Sequence, residues 1–225
     1  MIEQAVIMAD GPVGSRDALD AAWPGWCTAD PYVVAADGGA RHARGLDLRI
    51  HRWVGDGDSL GEDGIAALEA DGVPVDRAPV DKDESDTELA VRAALQQRPK
   101  AIEILGALGG PRLDHALANL ALLTLPELRR IDVRLVAVDA RVRLLDADGA
   151  RARVELAGRV GDLVTLLPVG NDALGVTTSG LAFPLRAEPL LLGRTRGLSN
   201  RRTELTATVD LMAGRLLIVE TPATL

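Results

Sequence analysis

Five short apolar runs, at residues 5–9, 32–36, 52–54, 73–75 and 101–105, each end at a glycine or an aspartate. Stretches with helical signals separate them. Ser15 can cap a helix reaching Ala22, a short helix follows Ala40 to about Gly45, and Ile65 and Leu68 mark another that Gly72 stops. Ser85 with Glu88 three residues on forms a capping box for a helix to about Gln97, and Leu113, Leu117 and Leu120 form the apolar face of a further helix. Strands alternating with helices predict a parallel sheet covered by helices on both faces. Pro74 marks its run as an edge strand or a strand start. Such a sheet places its ligands beyond the carboxyl ends of its strands.

The pattern changes after a last apolar run at 134–138. Residues 142–145, 151–156 and 163–167 are strand-like, and Asp148-Gly149 is a hairpin signal. Residues 204–211 and 215–219 read as a second hairpin around Ala213-Gly214. We expect an α/β domain with a Rossmann-like sheet over 1–139 and an all-β sandwich or flattened barrel over 140–225. The length of 225 residues suits two such units, and 47% apolar residues suffice for their cores. A net charge of −8 argues against a nucleic-acid partner. No apolar run is long enough to span a bilayer, the start lacks the pattern of a signal peptide, and Cys27 is the single cysteine. These features fit a cytoplasmic protein.

Three groups of residues carry chemistry. The first is acidic: Asp56 and Asp58 flank Gly57, with Ser59 next, and Asp81, Asp83 and Asp86 follow in a second loop. An extended backbone would send Asp56 and Asp58 to one side. Two such charges about 4 Å apart repel by roughly 4 kcal/mol at an effective dielectric near 20, and a divalent cation reverses that sign. Alone, residues 55–60 read more readily as a polar turn. Two acidic loops at one sheet edge favour a metal-assisted phosphate reaction, with Mg2+ as the matching ion. Asp86 and Glu88 also suit a solvated helix start. Lys82 either meets a phosphate or neutralises its neighbours. Asp37-Gly38-Gly39 lets the backbone approach a ligand closely, or makes a tight strand-to-helix turn. The second group is Gly109, Gly110, Arg112, Asp114, His115 and Asn119. Glycines after a strand, then an arginine, suit a phosphate oxygen, whereas a histidine beside an aspartate is more often structural. In the third group, Phe183 is the only aromatic residue after 139, and Ser199 and Asn200 follow it. It can stack on a flat heterocycle or fill the core, and local sequence leans to the core.

Six segments occur in the order of one family: ADGGA at 36–40, GDGDSL at 55–60, DKDESDTELA at 81–90, LGGPRLDHALANL at 108–120, TTSGLAFPL at 177–185 and GLSN at 197–200. Together they resemble thiamine pyrophosphokinase. The resemblance implies transfer of pyrophosphate from ATP to the hydroxyethyl oxygen of thiamine, giving thiamine diphosphate and AMP. It implies Mg2+ on Asp56, Asp58 and Asp81, with Asp83 and Asp86 completing an acidic wall. Arg112 would steady a phosphate, and Asp114 and His115 would order the site. Asp37, Gly38, Gly39, Ser59, Lys82, Gly109, Gly110 and Asn119 would line the ATP side, and Phe183, Ser199 and Asn200 would hold thiamine. It further implies a homodimer with thiamine between the first domain of one subunit and the β domain of the other. The chain departs from the family's usual residues at Gly57, Phe183 and Arg201.

Three other readings are weaker. A pyrophosphokinase for a pterin-like heterocycle would share the first half, but the segments at 177–185 and 197–200 favour thiamine. A non-catalytic thiamine or nucleotide sensor would have lost acidic residues. A dinucleotide-dependent oxidoreductase would need a GxGxxG turn, which 11–14 does not supply.

Overall fold

The computed structural model describes residues 1–147 and 151–223. They divide into two compact units, Met1–Val138 and Asp139–Leu225. Among the described residues, the first unit holds six parallel strands: β1 (Ile2–Met8), β2 (Tyr32–Ala36), β3 (Arg52–Gly55), β4 (Val75–Arg77), β5 (Pro99–Leu105) and β6 (Asp132–Val136). Their order is β4-β3-β2-β1-β5-β6, so the winding direction reverses between β1 and β5. β4 begins just after Pro74 and lies at the edge, where the missing N–H of proline costs no ladder bond.

Alternation along the buried strands divides the core between two faces. Val6, Met8, Val33, Ala35 and Trp53 pack with Leu19 and Ala22 of α1 (Arg16–Ala22) and Ile65 of α3 (Glu62–Ala70). The Ser15 hydroxyl accepts from Ala18 N and caps α1. The helix expected after Ala40 is broken: a 3-10 turn over Asp37–Gly39, α2 (Ala40–Ala43), and a second 3-10 turn over Arg44–Leu46. α4 (Asp86–Leu95) packs on β1, β2 and β3 through a face that includes Ala90, Val91 and Ala94. Its capping box is made on one side. The Ser85 hydroxyl accepts from Glu88 N at 3.2 Å, while the Glu88 carboxylate turns forward to Arg92.

Helix α5 (Leu113–Leu122) departs from the expected face. Leu113 and Leu117 are 70% and 57% exposed, and the inward residues are Asn119 and Leu122. The buried Asn119 amide donates to Ala107 O at 3.0 Å, which fixes the rotation of the helix. The buried amide thus has the partner that burial requires, while the two leucines lie in water.

The second unit is built of two antiparallel sheets. One is ordered β12-β9-β14-β7, from β7 (Arg141–Asp146), β9 (Leu163–Pro168), β12 (Asn200–Arg201) and β14 (Arg215–Thr221). The other is ordered β11-β10-β13-β8, from β8 (Ala152–Ala157), β10 (Ala173–Ser179), β11 (Glu188–Leu190) and β13 (Thr206–Leu211). Leu145, Val164, Leu166, Leu216 and Ile218 of the first meet Leu156, Val176, Val209 and Leu211 of the second in one core. The hairpin expected around Gly214 does not form: β13 pairs with β10 and β8, whereas β14 pairs with β7 and β9. Alternating burial is the same for two strands facing each other across a core as for two paired side by side, so the pattern alone cannot separate them. β7 and β8 are likewise in different sheets, and the signal at Asp148-Gly149 lies outside the described residues.

Candidate active site

Asp37 follows β2 and is buried, with a left-handed backbone at φ 41°. A non-glycine residue held there stores backbone strain, a feature that gathers at functional sites. Three hydrogen bonds hold it there. Trp53 Nε1 donates to Asp37 O at 3.0 Å, and the Asp37 carboxylate accepts from Ser59 N at 3.0 Å and Leu60 N at 3.2 Å. Asp37 thus folds the 55–60 loop back against the end of its own strand.

Within that loop Asp56 Oδ1 accepts from Asp58 N at 3.1 Å, and Ser59 Oγ donates to Asp58 Oδ1 at 3.1 Å. The two aspartates share a side through this turn, not through strand alternation, since β3 ends at Gly55. Gly57 has φ 86°, and a Cβ there would come within 2.6 Å of Ile65 Cδ1. Glycine therefore suits the turn on two grounds, backbone and space. Asp37, Asp56 and Asp58 each bring one carboxylate oxygen within 4.8 Å of the others.

The second acidic loop contributes differently from expectation. Asp81 and Asp83 are exposed, and Asp81 is not in that carboxylate group. The residue sent inward is Lys82, whose Nζ lies 2.8 Å from Asp56 Oδ2 and 3.2 Å from Asp86 Oδ1. The side chains of Lys82 and Asp56 are each 10% exposed. Lys82 thus neutralises its neighbours. Its hydrogen bond, reinforced by the Asp58 N–H, holds the Asp56 pKa below the ordinary value. Burial pushes the Asp86 pKa up, against the pull of Lys82. Burial works against the charge on Lys82, but its two carboxylates outweigh that and raise its pKa. Lys82 pairs with two of the four carboxylates Asp37, Asp56, Asp58 and Asp86, so this group carries excess negative charge.

A guanidinium from another direction was not anticipated. Arg41, in α2, donates from Nη2 to Asp10 Oδ1 at 2.9 Å and from Nη1 to Ser59 O at 2.8 Å. A Cβ on Gly38 would fall 2.3 Å from Asp10 Oδ1 and 2.6 Å from Arg41 Nη2, so the glycine makes room for this pair. The available signal was position. Asp10 follows β1 as Asp37 follows β2, and Arg41 stands four residues beyond Asp37.

The 109–119 segment is more open. Gly109 and Gly110 form the turn after β5. Arg112 and Asp114 are exposed and grip each other, with Nε to Oδ1 at 2.9 Å and Nη2 to Oδ2 at 2.6 Å. That pairing lowers the Asp114 pKa to about 2. His115 is exposed, while Asn119 braces the Ala107 carbonyl from inside the fold.

In the second unit Phe183 is 75% exposed, which removes the core reading. Its loop is held by short polar side chains. Thr178 Oγ1 accepts from Leu185 N at 2.9 Å, and Thr177 Oγ1 accepts from Ala187 N at 3.0 Å. Asn200 uses both ends of its amide on Phe183, accepting from its N–H at 3.0 Å and donating to its carbonyl at 2.7 Å. Asn200 is thus a clamp on the aromatic loop. Ser199 adopts φ 54° and donates its N–H to Thr165 Oγ1 at 2.9 Å. Arg201 is exposed, whereas Arg202 is buried against Glu220 Oε1 at 2.8 Å.

Comparison with known families bears on both units. A model of the thiamin pyrophosphokinase catalytic domain matches residues 26–135, and a model of the thiamin pyrophosphokinase vitamin B1 binding domain matches residues 152–216. The chain belongs to the thiamin pyrophosphokinase family. The thiamine pyrophosphokinase of Bacillus subtilis (strain 168) is 27% identical to it over 165 residues, or 73% of this chain and 75% of that relative. A crystal structure of thiamine pyrophosphokinase from Bacillus subtilis shares the fold at a TM-score of 0.82 and 24% identity, covering 98% of this chain and 99% of that one. Thiamin pyrophosphokinase from Candida albicans shares it at 0.77 and 15% identity, covering 98% and 89%. The thiamin pyrophosphokinase catalytic match contains the carboxylate group, Lys82, Arg41 and the 109–119 segment, and the B1 binding match contains Phe183 and Asn200. Asp10 lies outside both.

Proposed function

We propose that this chain transfers the pyrophosphoryl group of ATP to the hydroxyethyl oxygen of thiamine, giving thiamine diphosphate and AMP. The observation that carries the reading is the convergence of Asp37, Asp56 and Asp58 at the carboxyl edge of the parallel sheet, in a chain that matches both domains of the family. A nucleotide enters a Rossmann-like sheet at that edge. The thiamine oxygen attacks the β-phosphorus of ATP. A new O–P bond forms there as the bond from the β-phosphorus to the bridging oxygen breaks, AMP leaves with the electron pair, and the hydroxyl proton passes to a carboxylate of the acidic wall.

Three carboxylate oxygens are a hard donor set, which fits Mg2+ shared with substrate phosphates. Asp37, Asp56 and Asp58 would hold the ion, with Asp37 in the place first expected of Asp81. When bound, Mg2+ supplies charge neutralisation to the phosphates. Lys82 sets the orientation of Asp56 and keeps the loops together. Asp81 and Asp83 remain at the exposed rim. Arg112 retains N–H donors beyond the two that Asp114 takes, and these serve a phosphate oxygen. The exposed Phe183 ring would stack on a flat heterocycle, with Asn200 holding its loop and Ser199 next to Asn200 in the chain. We further read the protein as a cytoplasmic homodimer, a state that light scattering after size exclusion tests directly. Among the described residues no helix is long and apolar enough to cross a membrane.

The test is a mixture of the protein with ATP, Mg2+ and thiamine. AMP and thiamine diphosphate should appear together. ADP in place of AMP would make it a phosphate kinase, and binding without turnover would make it a sensor. Asp56→Asn should abolish AMP formation while leaving the urea midpoint within reach of the parent protein.

A further inference from the structure

We propose that Arg41 is a phosphate-binding residue of the nucleotide site, aimed by Asp10. The inference rests on the reading of this sheet edge as the ATP site and adds to it a cation that neither the motifs nor Arg112 supplies. Arg41 is 51% exposed, so its guanidinium faces water where a ligand can reach it. Its contacts to Ser59 O and Asp10 engage one N–H on each terminal nitrogen, and a guanidinium carries five. The remaining donors form a planar fork of the kind that matches phosphate oxygens. The location is fixed by the contacts themselves. Ser59, whose carbonyl Arg41 holds, is the residue after Asp58 and gives its N–H to Asp37. The guanidinium therefore holds the same loop that carries Asp56 and Asp58 and that bonds to Asp37. Gly38 keeps the space between Asp10 and Arg41 clear of a side chain.

Of the other cations, Lys82 is committed more deeply, largely buried between Asp56 and Asp86, whereas Arg112 keeps as many donors as Arg41 but spends its two on Asp114 after β5 and not on the 55–60 loop. ATP brings a polyanion to a surface that already carries excess negative charge, so a cation with spare donors beside the carboxylates lowers the cost of its approach. Asp10 has a defined part in this. A long arginine side chain loses rotamer freedom on binding, and a partner that fixes it beforehand removes that cost from the binding step.

The competing reading is that Arg41 only straps the 55–60 loop through Ser59 O. The two readings separate in binding. Titration calorimetry with α,β-methylene-ATP and Mg2+, which cannot break at the bridging position, compares the parent with Arg41→Ala, Arg41→Lys and Asp10→Ala. Arg41→Ala should weaken analogue binding and raise the ATP KM by about tenfold, the scale of one charge-assisted hydrogen bond, with thiamine KM unchanged. Arg41→Lys should recover part of the loss, and Asp10→Ala should lose less than Arg41→Ala. Added salt should weaken the parent more than Arg41→Ala. Unchanged analogue affinity in Arg41→Ala overturns the proposal, whether or not kcat falls, since a fall in kcat alone is the mark of a strap. If the parent makes no AMP from ATP and thiamine, the functional reading fails, yet the analogue titration still decides Arg41. A parent that binds no analogue overturns both.

Discussion

Lys82→Met removes one ammonium and keeps most of the aliphatic stem, so it isolates the charge. In the metal-free protein it deletes contacts of 2.8 Å to Asp56 and 3.2 Å to Asp86. Exposed ion pairs contribute about 0–1 kcal/mol, and breaking a buried one costs about 3–5 kcal/mol. Lys82 and Asp56 are shielded but sit at a water-facing edge among other carboxylates, so we expect a loss of about 2 kcal/mol at pH 7. With a urea slope of about 1.5 kcal/mol/M, that moves the midpoint down by about 1.3 M. Tryptophan emission is the right assay, because Trp23, Trp26 and Trp53 all lie in the first unit. The pH dependence gives a second, independent reading. The lowered pKa of Asp56 contributes stability that is present above the unfolded carboxylate value of about 3.9 and is lost as pH falls through the lower folded value. Asp86 has the opposite sign: its raised pKa costs stability at neutral pH, and Lys82 limits that cost. The charge on Lys82 itself is complete below an unfolded value of about 10.4 and is constant over this range. Without the ammonium both carboxylates take up protons at higher pH, so the deficit of the variant narrows from pH 7 toward pH 4. Millimolar Mg2+ should restore more stability to the variant than to the parent. Equal midpoints at pH 7, or a deficit that does not change with pH, would refute the electrostatic account and assign the loss to packing.

Phe183→Ala should raise the thiamine KM by about tenfold and leave the ATP KM unchanged, while its exposure keeps stability within about 0.5 kcal/mol of the parent. An unchanged thiamine KM would take the ring out of the thiamine site. Asn200→Ala should produce a smaller rise in the same constant, and the double variant should be no worse than Phe183→Ala alone, because the amide acts through that loop; additive losses would instead give Asn200 its own contact with thiamine. Asn119→Ala leaves the buried Ala107 carbonyl without this donor and should cost about 1–2 kcal/mol by urea titration, and a neutral result would remove its bracing role.

The buried strands of the first unit were legible because each run is short, apolar and closed by glycine or aspartate, whereas the edge strand expected at 73–75 lies at Val75–Arg77 and is largely exposed. Phe183 was misweighed locally, since an aromatic between alanine and proline looks the same in a core as on a presented loop. Asp56 and Asp58 were grouped from the sequence, whereas Asp37 was assigned to the nucleotide side and not to their carboxylate group. Asp81 belongs to the second acidic loop, whereas Asp37 is drawn to the 55–60 loop by Ser59 and Leu60 backbone N–H groups that no sequence pattern displays. Arg41 and Asp10 were missed for a related reason. They are separated by 31 residues and meet over a glycine, a juxtaposition set by the pairing of β1 with β2. The rotation of α5 was misread because leucine spacing describes a face without saying which way it points, and the inward position is taken by the Asn119 amide.

In the second unit the connections β7 to β8, β8 to β9, β9 to β10 and β13 to β14 all pass from one sheet to the other. Neighbours in the chain are therefore seldom neighbours in a ladder, and few cheap local pairings are available to start folding. The strand that pairs with both β7 and β9 is β14, the latest of them to leave a ribosome. Until it arrives, those two strands stand with open edges, about 50–70 residues after they were made, and their first sheet has a gap at its centre. Synthesis of this half of the protein thus contains a waiting period in which chaperones have something to hold, and a truncation that removes β14 would leave that period without an end.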